Sequence, residues 1–142
     1  MYKHILVPLE NSPTDVVVLK HVRELARFCG AKLTLVHVAD GFGARHQRLF
    51  NLAESEEMAK DREYLQRLEE ELAAEGHEVV CILALGEPAD EILRLAASEH
   101  CDLIAMSTHG HRFPADLFLG SVADRVRHGA EVPVLMLKAP KV

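Results

Sequence analysis

Two glycines and a serine late in the chain have the residue types and spacing that suit anion binding. Gly110 and Gly120 lack a Cβ and let the backbone approach a ligand closely. A helix beginning near Ser121 would present unpaired N–H groups and the positive end of its dipole. The Ser121 hydroxyl adds a donor, and Arg112 a positive charge. The spacing alone has little specificity, because a glycine before a helix and a serine at its start are common structural features.

Two histidines and three cysteines are candidate metal ligands. His109 and His111 flank a glycine, and imidazoles suit zinc, copper or nickel, but no cysteine or carboxylate pattern supplies further ligands. The three cysteines, Cys29, Cys81 and Cys101, are widely spaced and form no CxxC pair. We therefore expect no metal site, and cysteines that act as small buried hydrophobic residues in a reducing cytoplasm.

The patterns of common nucleotide enzymes are absent from the sequence. No G-x-x-x-x-G-K-[ST] occurs, so no lysine reaches the phosphates as in a P-loop, and no G-x-G-x-x-G follows the first apolar run. No Ser/His/Asp motif is present either. We assign no catalytic residue, since Glu10 alone would at most orient a magnesium ion or a water molecule.

Five short apolar runs have the length of β-strands. Most are continuous rather than alternating, as expected for strands covered on both faces. They occupy residues 4–9, 32–38, 79–83, 102–106 and 134–137. His37 lies in the second run and is expected to pack in the sheet.

Segments with helical periodicity lie between these runs. The first ends before Gly30, the second before Gly76, the third starts at Pro88 and the fourth near Ser121. The alternating order predicts a single α/β domain over residues 1–142, with a parallel sheet, right-handed crossovers and helices on both faces. Residues 40–52 are the least regular part and suggest either an ordinary loop into a helix or a mobile flap.

Open parallel sheets bind ligands beyond the carboxyl ends of their strands, where the strand order reverses. Three segments meet this criterion: residues 8–12 after the first strand, 38–40 after the second and 106–110 after the fourth. The third segment contains Gly110, and the chain after it leads to Gly120-Ser121 at the start of a helix. His109 is expected to line the phosphate loop or to cap a strand end.

The net charge of -6 is confined to one stretch. Residues 51–75 hold nine acidic and three basic residues, whereas the rest of the chain is formally neutral. A domain of this charge is unsuited to nucleic acid. The apolar runs are too short to span a membrane, no secretory signal is seen, and we expect a cytoplasmic protein. The acidic helix is interpreted as a solvated face, or alternatively as a surface for a protein partner.

One string gives the glycines a family context. Ser107-Thr108-His109-Gly110, nine residues, then Gly120-Ser121 resembles the G-x-x-G-x9-G-[ST] signature of the universal stress protein family. Segments along the whole chain agree, among them 5–8, 35–38, 86–92, 102–106 and 132–135. The resemblance implies an open five-stranded parallel sheet in the order 3-2-1-4-5. This fold is Rossmann-like, of the adenine nucleotide alpha hydrolase type, and usually forms a homodimer through the last strand.

Family members with the full signature bind ATP or a related adenine nucleotide, with Mg²⁺ as a possible companion. The resemblance therefore implies a nucleotide site formed by Pro8, Leu9, Glu10, Val38, Met106, Ser107, Gly110, Gly120, Ser121 and Val122. The first five enclose the adenine and ribose, and Gly110, Gly120, Ser121 and the backbone of Val122 hold the phosphates. AMP and ADP are alternatives to ATP, and any ATP hydrolysis should be slow.

Two positions depart from the family pattern. The first signature glycine is Ser107 here, and the aspartate usual after the first strand is Glu10. These departures leave two alternatives to a stress-response module that binds ATP. One is a dimeric interaction module that binds no nucleotide, and the other is a different small ligand in the same cleft.

Overall fold

The computed structural model describes residues 1–40, 56–108 and 120–138. Its strands are β1 (His4–Pro8), β2 (Lys32–Asp40), β3 (Val79–Gly86), β4 (Leu103–Ser107) and β5 (Val134–Leu137). The helices in these residues are α1 (Thr14–Cys29), α2 (Glu56–Ala74), α3 (Pro88–Ser98) and α4 (Ser121–Gly129). The irregular segment predicted at 40–52 lies outside the described residues except for Asp40, whose backbone ends β2.

The strands form one parallel sheet in the order β3-β2-β1-β4-β5. The chain builds outward from β1 to β3 and then returns to the other side of β1 for β4 and β5. The predicted fold and strand order are therefore confirmed. The order reverses between β1 and β4, and this is where an open parallel sheet leaves a crevice for a ligand.

Two strands are longer than the apolar runs predicted. β2 continues to Asp40 and β3 to Gly86, because the parallel pairing extends through Val38–Ala84, Ala39–Leu85 and Asp40–Gly86. Backbone hydrogen bonding does not require a large apolar side chain, so an estimate from apolar runs misses such strand ends.

Both faces of the sheet are buried, as the continuous apolar runs predicted. Ile5 and Val7 face a core formed with α1 and α2, whereas Leu6 faces a second core formed with α3 and α4. The helices therefore cover opposite faces of the sheet. No helix in the described parts of the chain is long and apolar enough to cross a membrane.

The helix boundaries follow their predicted signals. Gly30 caps α1 in the left-handed conformation, with φ 68°, which suits a residue without a Cβ. Pro88 occupies the first turn of α3, and the Glu87 side chain accepts a hydrogen bond of 2.8 Å from the N–H of Asp90. Glu87 as the N-cap and Pro88 in the first turn together fix where α3 begins.

The three cysteines are free thiols, and their burial differs. Cys101 is buried as expected, in the core beneath α3 and α4. Cys29 and Cys81 are only half-buried and pack at the margin of the core beneath α1 and α2. The Cys81 thiol donates to the Leu65 carbonyl over 3.3 Å.

Candidate functional site: a cavity at the carboxyl ends of the strands

A cavity of about 510 Å³ opens at the carboxyl ends of β1, β2 and β4. It lies at the point where the strand order reverses, as the topology predicts. Eight of the ten predicted nucleotide-site residues line it: Pro8, Leu9, Glu10, Val38, Met106, Ser107, Gly120 and Val122. Ser121 is not among the lining residues, and Gly110 lies outside the described residues.

One half of the cavity wall is apolar. Residues of α3, β4 and α4 contribute Pro88, Ile92, Met106, Val122 and Ala123. The described lining residues of these three elements carry no ionisable side chain. This half suits the face of an aromatic or aliphatic group, which loses water favourably on burial.

The N-terminus of α4 lies at the same wall. The N–H of Gly120 donates to the Thr108 carbonyl over 2.8 Å, and the N–H of Thr108 donates to the Leu137 carbonyl over 2.9 Å. These bonds fix the start of α4 beside the ends of β4 and β5. Because the N-cap Gly120 has no side chain, it supplies no side-chain cap to the first-turn N–H groups. Such an end attracts anions.

The opposite wall is formed by the loop between β1 and α1. The carboxylate of Asp15, only 3 % exposed, accepts from the N–H groups of Glu10 at 3.0 Å, Asn11 at 2.8 Å and Ser12 at 3.4 Å. Asn11 has a positive φ of 60°, a conformation that asparagine tolerates better than most residues. The loop therefore turns tightly around one buried carboxylate.

Helix α2 contributes a fourth hydrogen bond to this carboxylate. The Tyr64 hydroxyl donates to Asp15 Oδ2 over 2.7 Å. Burial raises the pKa of Tyr64 above its ordinary value, and the hydrogen bond to Asp15 raises it further. Tyr64 thus stays a protonated donor at any physiological pH.

A second buried carboxylate, Asp61 of α2, contacts both β2 and the β1–α1 loop. Asp61 Oδ2 lies 3.0 Å from His37 Nε2, and Asp61 Oδ1 accepts from Asn11 Nδ2 over 3.0 Å. On the other side of the ring, His37 Nδ1 lies 2.9 Å from the Leu9 carbonyl oxygen, which can only accept. Both ring nitrogens therefore face oxygen atoms, and the His37 ring links the loop carbonyl to α2.

These contacts revise two expectations from the sequence. His37 lies in β2 as predicted, but its ring lines the cavity and bridges a loop carbonyl to α2 rather than only packing in the sheet. The acidic helix is not purely a solvated face, because Asp61 is 6 % exposed and hydrogen-bonded. Other α2 acids do lie at the surface, such as Glu71, which pairs with Arg23 over 2.9 Å.

Sequence reasoning missed Asp15, Asp61 and Tyr64, and it placed Asn11 in a candidate ligand segment without assigning it a role. A signal for Asp61 was present: it stands four and seven residues before Leu65 and Leu68, on the apolar stripe of α2 where an acid is unexpected. Ser12 and Asp15 have the spacing of a capping box at a helix start. Nothing in the sequence indicated that Tyr64 would reach Asp15.

A metal centre finds no support in the described parts of the chain. Within residues 1–40, 56–108 and 120–138, no three His, Cys, Asp or Glu side chains converge on a common point that suits a metal ion. His109 and His111, the pair considered from the sequence, lie outside these ranges.

Comparisons with known proteins place this architecture in a family. The sequence profile of the Universal stress protein family matches residues 1–138. Universal stress protein MJ0577 of Methanocaldococcus jannaschii is 31 % identical, over 97 % of this chain and 96 % of its own length. A solved structure of MJ0577 superposes with a TM-score of 0.87 at 29 % identity, covering 100 % of this chain and 99 % of that one.

A second solved structure carries a ligand. It is the universal stress protein of Archaeoglobus fulgidus in complex with dAMP, with a TM-score of 0.70 at 27 % identity, covering 95 % of this chain and 97 % of that one. The profile match over nearly the whole chain, the strand order and the similarity to MJ0577 agree. The chain belongs to the universal stress protein family.

Proposed function

We propose that this protein binds an adenine nucleotide in the cavity between β1 and β4 and acts as a regulatory module of the stress response. The observation that carries the proposal is the pairing of an apolar wall with the N-terminus of α4 in one cavity of about 510 Å³. The first suits a base and the second suits phosphate. The dAMP complex of the A. fulgidus relative supports the same ligand class.

In this proposal the nucleotide has a fixed direction. The base and ribose lie against Pro8, Leu9, Val38 and Met106, and the phosphates lie towards the start of α4 at Gly120, Ser121 and Val122. The family signature assigns Gly110 to the phosphates as well. The distribution of charge supports this direction. The lining acids Glu10, Asp15, Glu57 and Asp61 all lie on the β1–α1 and α2 side, where they outnumber the lining Lys60 and would repel phosphates.

The two departures from the family signature face the cavity. Ser107 ends β4 and lines the wall between Met106 and the α4 terminus, while Glu10 lines the β1–α1 side. A carboxylate at that side suits the hydroxyls of a ribose, which can donate to it. We therefore propose that Glu10 contributes to ribose binding rather than excluding the nucleotide.

The proposal covers AMP, ADP and ATP, the last with Mg²⁺ carried on its phosphates, and assigns no catalytic residue. It includes a cytoplasmic location and a homodimer formed through β5. Support for the dimer comes from β5 itself, a sheet edge at which Val134, Leu135, Met136 and Leu137 are all half-buried. Such an edge offers free backbone groups and apolar side chains to a second copy.

Purified protein tests nucleotide binding directly. Native mass spectrometry of the untreated protein would detect a ligand that is retained through purification, whether a nucleotide or another metabolite. Thermal unfolding would then be followed with AMP, ATP or ATP–Mg²⁺, with cytidine monophosphate as the matched control. A ligand at about 100 times its Kd stabilises by about 2.7 kcal/mol, which raises the Tm of a chain of this size by about 10 °C. An unchanged Tm at millimolar adenine nucleotide would refute the proposal.

A further inference from the structure

The backbone of the β1–α1 loop forms one wall of the cavity, but its N–H groups are directed to a side chain of the protein. Glu10, Asn11 and Ser12 all line the cavity, and the N–H group of each donates to the Asp15 carboxylate. The conformation of this wall is therefore set by where Asp15 is held. A loop with a positive φ at Asn11 needs such bonds, because its backbone is not in a regular element.

Asp15 is in turn held from another helix. Asp15 lies in the first turn of α1, and the Tyr64 hydroxyl that donates to it comes from α2, 49 residues later in the chain. Tyr64 is half-buried, packs against the core beneath α1 and α2, and is not among the residues that line the cavity. Its hydroxyl reaches the wall through Asp15.

The burial of the Asp15 carboxylate makes its position sensitive to the loss of the Tyr64 hydroxyl. A carboxylate that is 3 % exposed has lost nearly all its water, so each donor removed leaves it poorly solvated. Tyr64 shares Oδ2 with the N–H groups of Asn11 and Ser12. Without the hydroxyl, Oδ2 loses the shortest of its three hydrogen bonds. The carboxylate would then shift towards water, and the two loop N–H groups that it accepts from would be displaced with it.

We propose that Tyr64 is a positioning residue of the cavity: acting through Asp15, it holds the backbone of Glu10, Asn11 and Ser12 in the conformation that lines the site. Helix α2 thereby sets nucleotide affinity through a residue that does not touch the nucleotide. The effect on affinity rests on the proposed function, whereas the effect on the loop does not.

The first experiment uses the protein without nucleotide. Backbone amide hydrogen exchange is measured by NMR in Tyr64→Phe, which removes only the hydroxyl, with Tyr2→Phe as the matched control, since Tyr2 is half-buried against the same core. We expect exchange at Glu10, Asn11 and Ser12 to accelerate by roughly tenfold in Tyr64→Phe, as for a lost hydrogen bond to a charged group. Amides of β1 and β4 should keep their rates, and Tyr2→Phe should leave the loop unchanged. Loop amides that exchange at the wild-type rate in Tyr64→Phe would overturn the proposal.

A second pair of variants tests the carboxylate itself. Asp15→Asn is compared with Asp102→Asn, because Asp102 also accepts two backbone N–H groups, from Lys3 and His4, at the opposite end of the sheet. Asp15→Asn should accelerate exchange at residues 10–12, and Asp102→Asn should not. Equal effects of the two variants on the loop would indicate a general loss of stability and would contradict the positioning role. If Asp15→Asn fails to fold, the Tyr64→Phe comparison still decides the question.

The last measurement is the Kd for AMP by calorimetry. We expect Tyr64→Phe to weaken AMP binding by roughly tenfold and Tyr2→Phe to leave it unchanged. Wild-type protein that binds no AMP would refute the proposed function. The exchange data would still test whether Tyr64 positions the loop backbone. Accelerated loop exchange with an unchanged Kd would overturn the claim that α2 sets affinity.

Discussion

The carboxylate of Asp61 lies 3.0 Å from the Nε2 atom of His37, joining helix α2 to strand β2 at the cavity. The same carboxylate accepts from the Asn11 side chain, and the other ring nitrogen of His37 contacts the Leu9 carbonyl. A single buried acid of α2 therefore satisfies two polar side chains on two other elements. A buried acid of α2 thus attaches this otherwise acidic, largely exposed helix to the site.

Removal of Asp61 should destabilise the fold. In Asp61→Ala, His37 Nε2 loses its partner at a largely buried position, and the exposed Asn11 side chain loses its link to α2. We expect a cost of roughly 1–3 kcal/mol of unfolding free energy, mainly from His37. Glu63→Ala, at an exposed position of the same helix, is the control and should change stability by less than about 0.5 kcal/mol. Urea unfolding at neutral pH measures both. Equal midpoints for the two variants would show that the Asp61 contacts contribute nothing.

A negative charge added at the start of α4 should weaken nucleotide binding without destabilising the helix. Ser121 is exposed in the first helical turn, so Ser121→Asp places a negative charge where the helix dipole favours it. The same charge repels a phosphate, and we expect the Kd for ATP to rise by about tenfold or more. Ser121→Asn is the neutral control of similar size.

The ligand series makes the result specific. Calorimetry should show a larger loss for ATP than for AMP and little loss for adenosine, because the repulsion grows with phosphate charge. An adenosine affinity that falls as far as the ATP affinity would mean that the phosphates do not lie at α4.

Stability should fall in acid partly through Asp102. Partial burial acts to raise the pKa of this carboxyl, but the N–H groups of Lys3 and His4 outweigh it, and the pKa lies below its ordinary value. The folded protein therefore releases this proton more readily than the unfolded chain. The resulting stabilisation is present above about pH 4 and is lost as the pH falls through the lowered value.

The matching variant is Asp102→Asn. Its unfolding free energy at pH 7 should be lower than wild type, and the difference should shrink as the pH falls from about 4 towards 2. Urea unfolding across this range provides the test. A difference between the two proteins that stays constant with pH would contradict the assignment.

Two of the cysteines should be unreactive in the folded protein. Burial raises the pKa of Cys81 to about 12 and that of Cys101 to about 11. Little thiolate is then present at pH 8, and only the thiolate is nucleophilic. In Cys29→Ser, we expect the two remaining thiols to react with a disulfide reagent at least about a hundredfold more slowly than free cysteine.

Denaturation supplies the control for this measurement. Both thiols should react at the ordinary rate in urea, since unfolding removes the burial. Either thiol reacting at the rate of free cysteine in the folded protein would show that it is accessible.

The proposed dimer edge can be tested by placing one lysine on each of the two edge strands, β5 and β3, in separate variants. Met136→Lys lies in β5 and should prevent pairing of two copies, because an edge lysine opposes strand addition. Val80→Lys lies on the opposite edge strand β3, where the side chain is 40 % exposed, and serves as the control. Light scattering should give twice the chain mass of 15.8 kDa for wild type and Val80→Lys, and the single mass for Met136→Lys. A wild-type monomer would refute the dimer.

The amino-acid sequence determined the elements of this protein. Continuous apolar runs located the strands because both faces of a parallel sheet are buried, and Gly30, Gly76 and Pro88 marked helix ends through their backbone preferences. Family resemblance, rather than the pattern of elements, supplied the strand order. Gly120 and Ser121 marked the start of α4 because their chemistry is local to that helix end.

Only the tertiary structure showed how the cavity wall at the β1–α1 loop is held by β2 and α2. Asp15, His37, Asp61 and Tyr64 come from three different elements and are far apart in sequence. Apart from Asp61, an acid on the apolar stripe of α2, each alone resembles an ordinary surface or core residue. Their roles depend on which donor meets which acceptor after the helices pack on the sheet. Hydrogen bonding requires atoms within about 3 Å, and local sequence patterns do not encode such distances between residues that are 24 to 49 positions apart.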